Sequence, residues 1–253
     1  MLNNPAETKK AIVEWIRGYM AQNGPSCSVV VGISGGKDSS VTAALCVEAL
    51  GKERVIGVMM PNGVQSDIND SQALAAHLGI RALTVNIHAG FEGLSNAVND
   101  ALRAGSIRGA SQLSRDSLIN MPARLRMSTL YAIAQALPGG GRVVNTCNRS
   151  EDYIGYSTKY GDAAGDFSPL ANILVHEVIQ LGEVLGLPDY LIHKTPTDGL
   201  SGMSDEEKIG FTYAVLDHYI LTGRCTDRHI RDKIDRMHRA NLHKLQLMPS
   251  FKL

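Results

Sequence analysis

An excess of charge of either sign is what this sequence most plainly lacks. Its 25 Lys and Arg balance 25 Asp and Glu, so the formal net charge is zero. Composition therefore gives no ground for a nucleic-acid surface. Long apolar runs are missing too, and none approaches the roughly 18 residues that a membrane-spanning helix needs. The opening Met1-Leu2-Asn3-Asn4-Pro5 has neither the basic nor the apolar region of a secretory signal. Cysteine is sparse: Cys27, Cys46, Cys147 and Cys225 lie far apart with no C-x-x-C pair. They read as free thiols in a reducing cytoplasm. The eight histidines show no zinc spacing, and His238 and His243, five apart, match a two-His helical site poorly. Repeats, low-complexity tracts and linker-like breaks are also absent. The whole chain, 1–253, is expected to form one domain, and a 44% hydrophobic fraction is ordinary for one α/β core.

What is present is an alternation of helix and strand patterns. Ala6 to Ala21 reads as an amphipathic helix with Ile12, Val13, Ile16 and Met20 on one face. A buried strand follows at 28–33, then a helix through Val41–Leu50, then a strand at Arg54–Met60 closed by Pro61-Asn62-Gly63. Ser66 or Asp67 can cap a helix carrying Leu74 and Leu78, and Ala82–Ile87 reads as a third strand. Helices at about 91–104 and 116–136 precede a fourth strand at Arg142–Thr146. Beyond it, Val175–Gly186 is helical. Ser204-Asp205-Glu206-Glu207 has the form of a capping box opening a helix to about Leu221, and Thr226 can cap a last helix to about Ala240. The order predicts a doubly wound, mostly parallel sheet with helices on both faces. Ligands of such sheets sit at the carboxyl ends of the strands. That rule gathers Ser34–Ser39, Pro61–Asp67 and Thr146–Glu151 around one crevice.

The most informative stretch is Gly32-Ile33-Ser34-Gly35-Gly36-Lys37-Asp38-Ser39-Ser40. It joins the apolar Ser28-Val29-Val30-Val31 to a helix. A Gly-rich turn opening a helix offers free amides and the positive end of a dipole to an anion. Gly35 and Gly36 let the backbone approach closely, and Ser34, Ser39 and Ser40 add hydroxyls. Asp38 would repel a bare phosphate, but suits one that arrives with magnesium. The pattern is neither Walker A, since Asp38 follows Lys37, nor the dinucleotide fingerprint. Ser-Gly-Gly-x-Asp-Ser after a buried strand resembles the pyrophosphate loop of the ATP pyrophosphatases, whose nucleotide fold is the adenine nucleotide alpha hydrolase-like one. Those enzymes split ATP between the α and β phosphates to activate a substrate oxygen.

Later segments narrow the resemblance. Asn120-Met121-Pro122-Ala123-Arg124-Leu125-Arg126-Met127 resembles the N-x-x-A-R-x-R-M segment of the NAD synthetase family. Ser157–Asp162 resembles its T-K-Y-G-D loop, with Asp166 at a further acidic position. His193–Leu200 resembles its P-T-x-x-L loop, and Asn241–Lys244 carries its His-Lys pair. The resemblance covers about residues 28–244, in order. It implies that Gly32, Ile33, Ser34, Gly35, Gly36, Lys37, Asp38, Ser39, Ser40, Thr146 and Thr197 bind ATP. It implies that Asp38 and Glu151 ligate Mg2+, and that Lys37, Asp38 and Glu151 serve catalysis. Arg124, Lys159, Asp166, His243 and Lys244 would bind the substrate, nicotinic acid adenine dinucleotide (deamido-NAD). The implied partners are ATP, deamido-NAD, ammonia and a second copy of the chain, with no nucleic acid and no membrane. Two positions depart from the family pattern. Met59 stands where many members carry an ATP-contacting Arg, and Val175 where a Lys is common; Lys194 could supply a charge instead.

The implied reaction is a two-step amidation. The nicotinate carboxylate attacks the α-phosphorus, pyrophosphate leaves, and ammonia displaces AMP from the acyl adenylate. No Ser-His-Asp or Cys-His nucleophile is needed, so positioning and charge stabilisation carry catalysis. Taken singly, Arg124 and Arg126 fit solvated helix charges, Glu151 fits a helix N-terminal acid, and Asp162 and Asp166 fit turn residues. Their order behind the Ser-Gly-Gly-Lys-Asp-Ser loop favours function. A fused glutaminase would need roughly 250 further residues, so ammonia is expected to arrive free or from a separate partner. A tRNA-modifying pyrophosphatase would want a basic face and, for thiolation, a catalytic Cys; Cys147 lies beside the crevice without a partner Cys. A nucleotide sensor that has lost catalysis finds support only in Met59 and Val175. Gly- and Ser-containing loops at 63–67, 105–115 and 157–168, at the mouth of the crevice, are expected to be mobile without ligand.

Overall fold

A computed structural model describes residues 1–194 and 204–251. The strand patterns form a four-stranded sheet in the order β3-β2-β1-β4, with every pairing parallel. The strands are β1 (Ser28–Gly32), β2 (Val55–Met59), β3 (Arg81–Thr84) and β4 (Gly141–Val143). The β-branched runs of β1 and β2 are buried on both faces, as a covered parallel sheet requires.

One face of the sheet carries α1 (Pro5–Asn23), α2 (Lys37–Leu50), α3 (Ile68–Leu78), α7 (Val175–Val184) and the short α8 (Asp189–Ile192). Ile16, Met20, Val29, Val31, Leu45 and Leu181 form the centre of this layer. The other face packs Val30, Ile56, Val58 and Val143 against α5 (Arg115–Ala136), and α4 (His88–Ala104) lies along α5. A third apolar cluster belongs to α6 (Arg149–Ile154), α9 (Asp205–Ile209), α10 (Tyr213–Thr222) and α11 (Arg228–Asn241). It is built on Ile154, Val175, Phe211, Leu216 and Ile234. The chain winds from β1 through β2 to β3, then returns to place β4 on the opposite side of β1. The reversal makes β1/β4 the switch point of the sheet, where a crevice opens beyond the strand ends.

The parallel sheet with helices on both faces is the predicted one. Three local expectations need correction. The helix opened by Ser204 does not run to Leu221, because Gly210 at φ +77° ends α9 in the left-handed region and Thr212 caps a new helix. The last helix is capped by Asp227, which accepts from the His229 and Ile230 amides at 2.8 and 3.2 Å, and not by Thr226. β4 ends at Val143, and Val144 continues only as a bridge to Phe167. On the second face, α4 buries only Ser95 and α5 only Pro122 and Ala134.

Candidate active site at the sheet switch point

β1 delivers its carboxyl end into the turn before α2. Ile33 extends the strand through its amide to the Val58 carbonyl at 2.9 Å, and its side chain fills the space beside Gly57. Gly35 sits at φ +77°, and a Cβ there would lie 2.8 Å from Asp70 Cβ and 3.0 Å from the Ser71 amide. Only glycine lets the turn pass this close to the start of α3. The Ser34 and Ser39 hydroxyls meet at 3.1 Å, and Ser34 Oγ also accepts from the Gly36 amide at 3.3 Å. Ser40, fully buried, donates to the Gly36 carbonyl at 2.8 Å. The turn is thus held by its own hydroxyls. Gly36 caps α2 without any side-chain bond, so the amides of the first helical turn stay available to an anion.

Opposite that turn, the loop after β4 opens α6. Asn148, fully buried, joins the two. Its Oδ1 accepts from the Ser150 and Glu151 amides at 3.0 and 3.1 Å, while its Nδ2 donates to Asp38 Oδ1 at 2.9 Å. Glu151 Oε2 completes the capping box by accepting from the Asn148 amide at 3.3 Å. One amide side chain therefore sets Asp38 and Glu151 in register across the crevice. Lys37 turns inward and, 4% exposed, pairs with Asp38 Oδ2 at 2.8 Å. Burial pulls its pKa down, but Asp38, Glu151 and Asp205 together outweigh burial and hold the ammonium above its ordinary value. Burial pushes the Glu151 carboxyl well above the usual carboxylate range, and the facing Asp38 charge adds to it against Lys37. Two convergent carboxylates short of positive charge fit Mg2+, which takes one or two carboxylates and fills its shell with phosphate oxygens and water. Among the described residues no group of three or more His, Cys, Asp and Glu gathers to hold a metal by itself. The fit is to a cation that comes with phosphate.

The remaining ATP-side positions are mixed. Thr146 is half-buried on the loop between β4 and Asn148. Thr197 lies outside the described residues. Val175 is core, its amide accepted by Ser150 Oγ at 3.1 Å. Lys194 bridges Asp67 and Asp70 at 2.6 Å each, behind Gly35. At the end of β2, beside Met59, Arg126 brings a guanidinium to the Met60 carbonyl at 3.0 Å. Its burial lowers its pKa.

Four of the five residues expected to bind substrate meet in one cluster. Arg124 Nε donates to the Lys159 carbonyl at 3.3 Å, and Lys159 Nζ to the His243 carbonyl at 2.8 Å. Lys244 Nζ bonds the Gly155 and Ser157 carbonyls at 2.7 and 2.8 Å. Asp166 stands apart. Its carboxylate accepts from the Val143 amide at 2.7 Å and from the Tyr131 hydroxyl at 3.3 Å. Tyr131 is seven residues from Arg124 on the same face of α5, about 10 Å along it. Sequence reasoning passed over Asn148 and Asp205. The first was signalled by Asn148-x-x-Glu151, the second by its place in the Ser204 box beside a turn.

A parallel sheet that presents open amides and paired carboxylates at its switch point defines a protein built to hold a phosphate-bearing ligand that comes with a cation. The family model described as NAD synthase matches residues 8–253. An NH(3)-dependent NAD(+) synthetase of Alkaliphilus metalliredigens is 39% identical over 241 residues, 94% of this chain and 95% of that one. Among solved structures, NMN synthetase from Francisella tularensis superposes with a TM-score of 0.86 at 31% identity, covering 99% of each chain. NAD+ synthetase from Burkholderia pseudomallei gives 0.74 at 27%, covering 96% and 91%. The chain belongs to the NAD synthase family.

Proposed function

We propose that the chain amidates deamido-NAD to NAD with ammonia, consuming ATP through an acyl adenylate and releasing AMP and pyrophosphate. Family membership over residues 8–253 carries the reading. The substrate carboxylate attacks the α-phosphorus while the amides and hydroxyls of Gly32–Ser40, with Lys37, hold the departing pyrophosphate. Thr146 and Thr197 complete the ATP contacts. Ammonia then attacks the acyl carbon and AMP departs. Arg124, Lys159, Asp166, His243 and Lys244 orient the dinucleotide, so the carboxylate is presented in line. Asp38 and Glu151 would hold Mg2+, which when bound supplies charge to the phosphate oxygens.

The active form proposed is a homodimer in the cytoplasm. Supporting a second copy, β3, α4 and α5 leave Leu83, Leu94, Leu118 and Ile119 between 42% and 52% exposed. The four cysteines are free thiols, in keeping with a reducing compartment.

A second reading keeps the chemistry and shortens the substrate, since the Francisella tularensis structure at TM-score 0.86 is an NMN synthetase. One assay tests both: protein, Mg2+, ATP, ammonium and either the dinucleotide or nicotinic acid mononucleotide, with Asp38→Asn as control. Amide product that requires every component and falls at least 100-fold in the variant supports the proposal. The ratio of kcat/KM for the two substrates chooses between readings. Pyrophosphate release with neither substrate, but with another carboxylate, overturns both.

A further inference from the structure

Tyr213 opens α10, and its own amide donates to Glu206 Oε1 at 2.8 Å, which fixes the residue from the main chain. Its side chain is 4% exposed and its ring lies 5.8 Å from the Lys37 ammonium. The hydroxyl is sealed from solvent and has no hydrogen-bond partner among the described residues. Buried phenols normally find one, and an unpaired one lowers stability.

The surroundings say what kind of partner is missing. Burial, then the charges of Glu151, Asp205 and Asp38, hold the phenol protonated far above its ordinary value. It is a donor in need of an acceptor. None of the neighbouring carboxylates accepts from it: Asp38 bonds Lys37 and Asn148, Glu151 Oε2 the Asn148 amide, and Asp205 Oδ1 the Tyr156 hydroxyl at 3.0 Å. A bound ligand that reaches Lys37 at the start of α2 could supply the missing acceptor once the site opens to receive it.

We propose that the Tyr213 hydroxyl binds the nucleotide directly, donating to an oxygen of the pyrophosphate half of ATP. This rests on the nucleotide reading above. It adds to the site a group carried by α10, whose ring lies 5.8 Å from the Lys37 ammonium.

The orphaned hydroxyl makes the test specific. Tyr213→Phe removes a group that has no partner in the free protein but gains one in the complex. The free variant should therefore melt at or above the wild-type temperature. Its affinity for α,β-methylene-ATP with Mg2+, read by calorimetry, should fall about tenfold. Tyr219→Phe is the contrast, because that hydroxyl already donates to Asp235 at 2.6 Å on the outer helices. It should melt lower and bind the analogue as wild type does. A Tyr213→Phe protein that melts lower when free, or that binds the analogue with wild-type affinity as a purely water-bonded hydroxyl would, overturns the proposal. Wild-type protein that fails to bind the analogue at all overturns the nucleotide reading as well.

Discussion

Replacing Asn148 tests whether one amide both caps α6 and aligns the acidic pair. In Asn148→Ala the α6 amides lose their cap, at about 1 kcal/mol. The Asp38 carboxylate loses the hydrogen bond that Asn148 donates, about 1.5–3 kcal/mol for a bond to a charged group. The sum, about 3 kcal/mol, corresponds to a drop in melting temperature of about 6–12 °C for a chain of this size. Asn148→Asp separates the two roles. It keeps oxygens for the Ser150 and Glu151 amides, but turns the donor toward Asp38 into a carboxylate. Facing carboxylates raise each other's folded pKa values. An acid raised in the folded state contributes stability below its unfolded pKa and loses it as pH rises through the folded value. The Asp variant should therefore approach wild type near pH 4 and fall progressively behind it toward pH 8, while Asn148→Ala keeps the share of its deficit due to the lost α6 cap at both pH values. Calorimetric melting at both pH values makes the comparison. An Ala variant within 1–2 °C of wild type, or an Asp variant whose deficit is flat in pH, would refute the bridging role.

Gly35→Ala forces a residue at φ +77° against Asp70 and Ser71. It should cost about 2–4 kcal/mol in strain and contact and lower kcat/KM for ATP at least tenfold; unchanged ATP kinetics would show that the turn's close approach is dispensable. Asp152 is pushed up to about 6, first by burial and then by Asp162. Against an unfolded value near 3.9, its ionised form is penalised as pH rises through 6. Asp152→Asn should therefore gain about 1–2 kcal/mol at pH 8, discounted for its partial exposure, and nothing at pH 4; an equal gain at both pH values would contradict this.

The layered fold was legible because its signals are local and repeated. Val29–Val31 and Val55–Met59 are continuous apolar runs, and each is followed by a helix pattern. The glycine turn between β1 and α2 was legible because glycines, hydroxyls and an acid coincide after a strand. The break at Gly210 was missed because the Ser204 box announces a helix start and says nothing of its length. A left-handed glycine inside a helical pattern decides that. Asn148 was missed because its amide does two jobs, and only the cap leaves a trace in sequence spacing. Its reach to Asp38 spans 110 positions. Lys194 was read as an alternative cation for ATP; its pairing with two aspartates depends on how α3 docks behind Gly35, which no local pattern encodes.

Asp38 and Glu151 do not belong to the same packing unit. Asp38 rides on α2, rooted in the sheet's own core, whereas Glu151 rides on α6, rooted in the cluster around Ile154, Phe211 and Ile234. The proposed site is a seam between two packing clusters, and local opening of either would act on it. Loosening the helical block would part the carboxylates while leaving the glycine turn intact. A ligand that engages both sides acts as a staple across the seam, so occupancy and local melting oppose one another. Amide hydrogen exchange in α6, α10 and α11 should slow far more on nucleotide binding than exchange in β1 or β2.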